Sequence, residues 1–128
     1  MKKILIILGN PTIQESIERI LQDVLNQQDY EVLRASSNLE GIELTKKHLP
    51  RLVIVMFKLP KGFGLEIVRF IKLNFPRKIK TVILGEKKEN ETISLAAGTD
   101  LFSCLETPDW EKGFKETVTR FLNHPVPP

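Results

Sequence analysis

The 128-residue chain has one cysteine, Cys104, two methionines, two histidines, one tryptophan and one tyrosine. A lone thiol forms no internal disulfide, so the fold has to rest on a packed core, and the usage fits a reducing compartment. No apolar run reaches roughly 18 residues, so no helix is expected to span a membrane. The start carries two lysines and the apolar run 4–8, but no small-residue cleavage site follows. A buried first strand is expected there, in a cytoplasmic chain with no membrane partner. His48 and His124 stand far apart, without metal-ligand spacing. No Ser-His-Asp or Cys-His arrangement is legible, so no enzyme is expected. The net charge of +3 is too mild to imply nucleic acid by itself.

What remains is an ordinary globular composition, with 41% hydrophobic and 27% charged residues, long enough for one domain with a real core. Residues 1–123 are expected to form that domain. The Pro-rich residues 124–128 are expected to be a tail or the start of a linker, since they cannot continue a helix.

The chain centres on residues 51–72, RLVIVMFKLPKGFGLEIVRFIK, which read as buried strand, loop and amphipathic helix. Before it, residues 4–8 are a β-branched apolar run, as a strand covered on both faces should be. Asn10 before Pro11, or Thr12 with Glu15, can start a helix with Ile13, Ile17, Ile20, Leu21, Val24 and Leu25 at helical spacing. Residues 30–35 read as a second strand. Asn38 can cap a second helix with Leu39, Ile42 and Leu44 as its apolar side, and Gly41 weakens it by about 1 kcal/mol. Leu65, Val68 and Ile71 face inward from the third helix, which Pro76 ends. Residues 81–84 and 101–105 are further strands, with a short helix over 90–97 stopped by Gly98. Thr107-Pro108 opens the last helix, buried through Trp110, Phe114, Val118, Phe121 and Leu122. Five βα units in this length imply an α/β fold. Its sheet is parallel and five-stranded, in the flavodoxin-like order 2-1-3-4-5, with helices on both faces. Ligands in such folds bind beyond the C-terminal strand ends. The site is therefore expected after Leu8, after Val55, after Leu84 and around Leu105.

At this point the chain resembles the CheY-like receiver domain of response regulators over residues 2–123. The marks are KILIILGNPTIQESIERIL, PRLVIVMFKLPKGFGLEIVRFIK, KTVILGE and AAGTDLFSCLETPD. The Leu59-Pro60-x-Gly62-x-Gly64 turn and Ala97-Gly98-Thr99-Asp100 carry the resemblance furthest. The resemblance implies two-component phosphorelay signalling, with an acidic pair holding Mg²⁺ and an Asp that takes a phosphoryl group. A Thr or Ser and a Lys complete that site. Carried onto this chain, the acidic pair falls on Leu8 and Gly9, with Asn10 next. The phosphoacceptor falls on Met56, the Thr or Ser on Gly85, and the Lys on Leu105. The switch aromatic is kept in kind as Phe102. A thioether is no stable phosphoryl acceptor and a poor Mg²⁺ ligand. The expectation is a degenerate pseudo-receiver with no phosphoacceptor, no metal and no cofactor.

Such a module is expected to work by protein–protein contact with a signalling protein or with itself as a homodimer. By the resemblance its partner face holds Ile93, Leu101, Phe102, Trp110 and Phe114. A small-ligand or anion sensor in the same cleft, through Gly9, Asn10 and Gly85, is the alternative from another class. An unusual phosphoacceptor is the third, with Glu86 as its candidate. Cys104 reads as buried and inert. Nine basic residues between Lys58 and Lys88 face two acidic ones, Glu66 and Glu86. They lack aromatic interleaving, so they read as solvated surface rather than a nucleic-acid site.

Overall fold

The computed structural model describes residues 2–25 and 30–123; the expected tail 124–128, with His124, lies outside them. The elements run β1 (Lys2–Ile7), α1 (Pro11–Leu25), β2 (Tyr30–Ala35), α2 (Asn38–His48) and β3 (Leu52–Met56). A two-stranded hairpin follows, β4 (Lys58–Leu59) and β5 (Gly62–Phe63), then α3 (Leu65–Asn74). The chain goes on through β6 (Lys80–Gly85), α4 (Glu91–Ala96), β7 (Leu101–Cys104) and α5 (Trp110–Asn123). The main sheet is parallel in the order β2-β1-β3-β6-β7. With β6 and β7 as its fourth and fifth strands, this is the expected flavodoxin-like order.

The order follows from burial. Residues 4–7 of β1, 52–55 of β3 and 82–84 of β6 have essentially no exposed surface. Strands apolar on both faces need a helix layer on each side. α1 packs with α5, and α2 with α3. Ile17, Leu21 and Leu25 of α1 and Phe114, Val118 and Leu122 of α5 are buried.

Asn10 starts α1: its Oδ1 accepts from the Thr12 and Ile13 amides at 3.0 and 3.1 Å. Glu18 of α1 is bonded by Arg34 of β2, which holds its carboxyl below the usual Glu range. The pair therefore contributes above the unfolded Glu value and fades as pH falls through the lowered one.

Three details of the helices differ from the sequence reading. α2 is capped by Ser37, whose Oγ accepts from the Glu40 amide at 3.2 Å, while Asn38 Nδ2 donates to the Phe63 carbonyl at 2.8 Å. α2 buries Gly41 and Thr45, and Leu39 is exposed. A Cβ on Gly41 would sit 2.4 Å from Ile7 Cδ1 and 2.9 Å from Ile67 Cδ1. The glycine lets α2 lie close on the sheet, which outweighs its poor helix propensity. α5 starts at Trp110, two residues past Pro108, with Asp109 in the left-handed region at φ 59°.

The Ala97-Gly98-Thr99-Asp100 motif is a structural clamp. Gly98 turns the chain at φ 101°. Asp100 Oδ2 accepts from Lys72 Nζ and from the buried Thr81 amide, both at 2.8 Å. Asp100→Ala would leave that amide unpaired and is expected to cost about 1–3 kcal/mol in urea unfolding. Gly41→Ala is expected to destabilise by about 1 kcal/mol, as overpacking against Ile7 and Ile67 exceeds the helix gain. A higher unfolding midpoint for Gly41→Ala would contradict the close approach.

Candidate functional site

Strand register brings the predicted positions together at the C-terminal end of the sheet. Ile7 pairs with Val55, so Leu8 follows beside Met56. Met56 pairs with Leu84, and Gly85 with Cys104. The Phe57 amide donates to the Leu84 carbonyl and the Leu105 amide to that of Gly85, each at 2.8 Å. Leu8, Gly9, Met56, Gly85 and Leu105 thus lie at the same end of neighbouring strands.

The spot at Leu8 and Met56 is closed and apolar. Leu8 is 2% and Met56 5% exposed, and both belong to the core. Leu105 packs half-buried against that core. Gly9 turns away from β1 at φ 61°, against Pro60. The Thr12 and Ile13 amides at the start of α1 are taken by Asn10 Oδ1 and not free for an anion. Mg²⁺ needs hard oxygen ligands at about 2.1 Å, and a thioether with aliphatic neighbours does not supply them. Among the described residues no group of three or more His, Cys, Asp or Glu could hold a metal ion.

The Leu59-Pro60-x-Gly62-x-Gly64 turn builds the wall beside this spot. It forms the β4–β5 hairpin, pairing Lys58 with Phe63 and Leu59 with Gly62. A Cβ on Gly64 would fall 2.3 Å from the Met56 carbonyl oxygen, so glycine is required where α3 meets β3. Above Met56 and Phe57 lies a cleft of about 440 Å³ rimmed by Lys58, Glu86, Lys87, Glu89 and Asn90. Glu86 is where the sequence reading puts it. Glu89 joins it because the turn Lys88–Asn90 folds back over the cleft, which no sequence spacing signals.

Phe102 points inward. Its ring lies over Gly85, where a Cβ would meet ring carbons at 2.5 and 2.6 Å. The absent side chain at 85 is what makes room for the ring. On the expected partner face, Ile93 is exposed, and Leu101 and Trp110 are half-buried. Phe102 and Phe114 are buried, Phe114 as the spacing of the last helix implies, and Phe114 packs edge-to-face on Trp110 at 5.9 Å. Leu95, exposed on α4, was not anticipated. Cys104 is half-exposed and not fully buried.

Gly85→Ala is expected to cost about 1–3 kcal/mol by driving the ring off its seat. Phe102→Leu should recover part of that loss in the double variant. Additive losses in the double-mutant cycle would mean that the two residues do not share the space.

The family model for the response regulator receiver domain matches residues 4–117. The polar-differentiation response regulator DivK of Brucella ovis is 32% identical over 54 residues, 42% of this chain and 44% of that protein. The chain thus spans less than half the length of the curated relatives it matches. Among solved structures, a response regulator of Chloroflexus aurantiacus superposes with a TM-score of 0.80 at 21% identity, covering 96% of this chain and 98% of that one. TrrA of Thermotoga maritima, solved with Mg²⁺-BeF, gives 0.77 at 24% identity, covering 94% and 99%. Fold, turn motifs and family model agree: the chain belongs to the response regulator receiver domain family.

Proposed function

We propose that this chain is a receiver module of two-component signalling that takes no phosphoryl group at the end of β3 and acts by contact with a protein partner. The carrying observation is Met56, 5% exposed and packed beside Leu8 at the position of the family's phosphoacceptor. Phosphoryl transfer to a receiver needs a carboxylate nucleophile and cations to offset the charge that develops. Here the nucleophile, the metal ligands and the balancing lysine are replaced together by Met56, Leu8 with Gly9, and Leu105. A lysine without the acids would be an unpaired charge at a nearly dry spot, so its loss fits theirs. The closed floor and the self-capped α1 amides favour this reading over an anion sensor in the cleft. The contact surface is the α4–β7–α5 side. α4 exposes Ile93 and Leu95 on this side, which also carries a shallow groove lined in part by Leu101, Phe102 and Trp110. Exposed apolar side chains beside such a groove are the ordinary mark of a protein interface.

Intact mass after incubation with acetyl phosphate and Mg²⁺ tests the reading. No gain is expected, and no thermal shift with Mg²⁺ plus beryllofluoride. Met56→Asp alone should also stay unlabelled, because the metal ligands and the lysine remain absent. A gain of one phosphoryl group by the natural chain would overturn the reading, and peptide mapping would then decide between Glu86 and Glu89.

A further inference from the structure

The basic residues from 58 to 88 separate into two groups in the fold. Lys58 and Lys87 rim the cleft described above. Lys72, Arg77, Lys78 and Lys80 lie at the opposite end, where the parallel strands begin. There they join basic residues that the sequence reading did not connect with them. Lys46 and Lys47 fill the last turn of α2, and Lys2 opens β1. The ends are tied together: the Arg51 amide donates to the Lys3 carbonyl at 2.8 Å, and the Lys80 amide to that of Arg51 at 3.0 Å. Lys3 Nζ lies 2.7 Å from His48 Nδ1. Lys46 stands over the Phe70 ring, which brings the ends of α2 and α3 side by side. Asp100 at this end is taken up by Lys72 and, at 4.0 Å, by Lys80.

Two leucines project from the same rim. Leu73, in the last turn of α3, is 82% exposed. Leu49 is 52% exposed and holds the left-handed conformation that ends α2, at φ 46°. Lys46, Lys47, Arg77, Lys78 and Lys80 around them are all exposed.

We infer that this end of the domain is a docking surface for an anionic lipid bilayer, seated by lysine and arginine on the headgroups with Leu49 and Leu73 entering the interface. The composition selects among polyanions. Protein interfaces are depleted in lysine and anchored by exposed aromatics, whereas the aromatics here, Tyr30, Phe70, Phe75 and Phe121, are all half-buried, three of them beneath Lys2, Lys46 and Lys80. Single-stranded nucleic acid is held by stacking on exposed rings, which the half-buried aromatics of this end do not offer. Projecting leucines among lysines have no use on a phosphate backbone, but they match the layered chemistry of a membrane surface. The sequence reading expects no membrane partner; the folded arrangement, not any one segment, creates the surface. The inference is independent of what happens at Met56.

Co-sedimentation with large vesicles tests it. The full chain is expected to bind phosphatidylcholine vesicles containing phosphatidylserine, to ignore pure phosphatidylcholine, and to be released by high salt. Arg77→Gln with Lys78→Gln should weaken binding on the order of tenfold, as each cation near the surface adds appreciably to the attraction. Leu73→Ser, at unchanged charge, should weaken it severalfold. Lys87→Gln with Lys88→Gln, at the other end, should leave it intact. All five residues are exposed, and circular dichroism will show that the variants fold. Absence of binding to the anionic vesicles, or equal losses from the two lysine-bearing pairs, would overturn the inference. So would tighter binding to a labelled DNA duplex than to vesicles with no effect of Leu73→Ser.

Discussion

Burial of the three central strands on both faces is the constraint on which the rest depends. β1, β3 and β6 leave no polar side to face water, so each crossover must carry a helix to one face or the other. Glycine appears where that covering is tightest. Gly41 brings α2 down on Ile7, and Gly64 admits the start of α3 beside the Met56 carbonyl. The Asp100 clamp fixes the entry of β6, and through it the register in which Met56, Gly85 and Phe102 meet. The site is thus placed by the apolar core, and it needs no chemistry of its own to hold its shape.

That independence explains how a receiver fold can carry an apolar site. Clustered carboxylates without a cation repel one another and raise each other's pKa. On the proposed reading, Leu8 and Met56 in place of carboxylates remove that repulsion and extend the core by two residues, and Leu105 packs where a lysine would be unpaired. The same logic separates the two ends of the molecule, with mixed charge over the cleft and mostly positive charge where the strands begin.

Much of the fold was legible because the signals were local. The runs at 4–8, 52–57 and 81–84 show strands, the helical spacing through Ile17 and Leu21 shows α1, and Asn10 shows its cap. The site positions could be aligned because the Leu59-Pro60 turn and the Gly98-Asp100 motif fix the spacing around them. What was missed depends on contacts between distant segments. Gly41 reads as a weak point until Ile7 and Ile67 are seen beneath it. Leu39 has the spacing of an inward residue, yet α2 turns Gly41 and Thr45 to the sheet. Glu89 reaches the cleft only through a turn. The basic rim draws on β1, α2, α3 and β6, so no sequence window contains it.

The seating of Phe102 on Gly85 also bears on populations. Turning the ring outward would expose a phenyl group, at a cost of about 2 kcal/mol for a side chain of that size. That cost weights the ring toward the inward form with no ligand needed to select it. A partner that fits the α4–β7–α5 side in this form then meets it already in place. Its apparent affinity is then close to its intrinsic one, whereas a two-state receiver gives up the fraction resting in the other form.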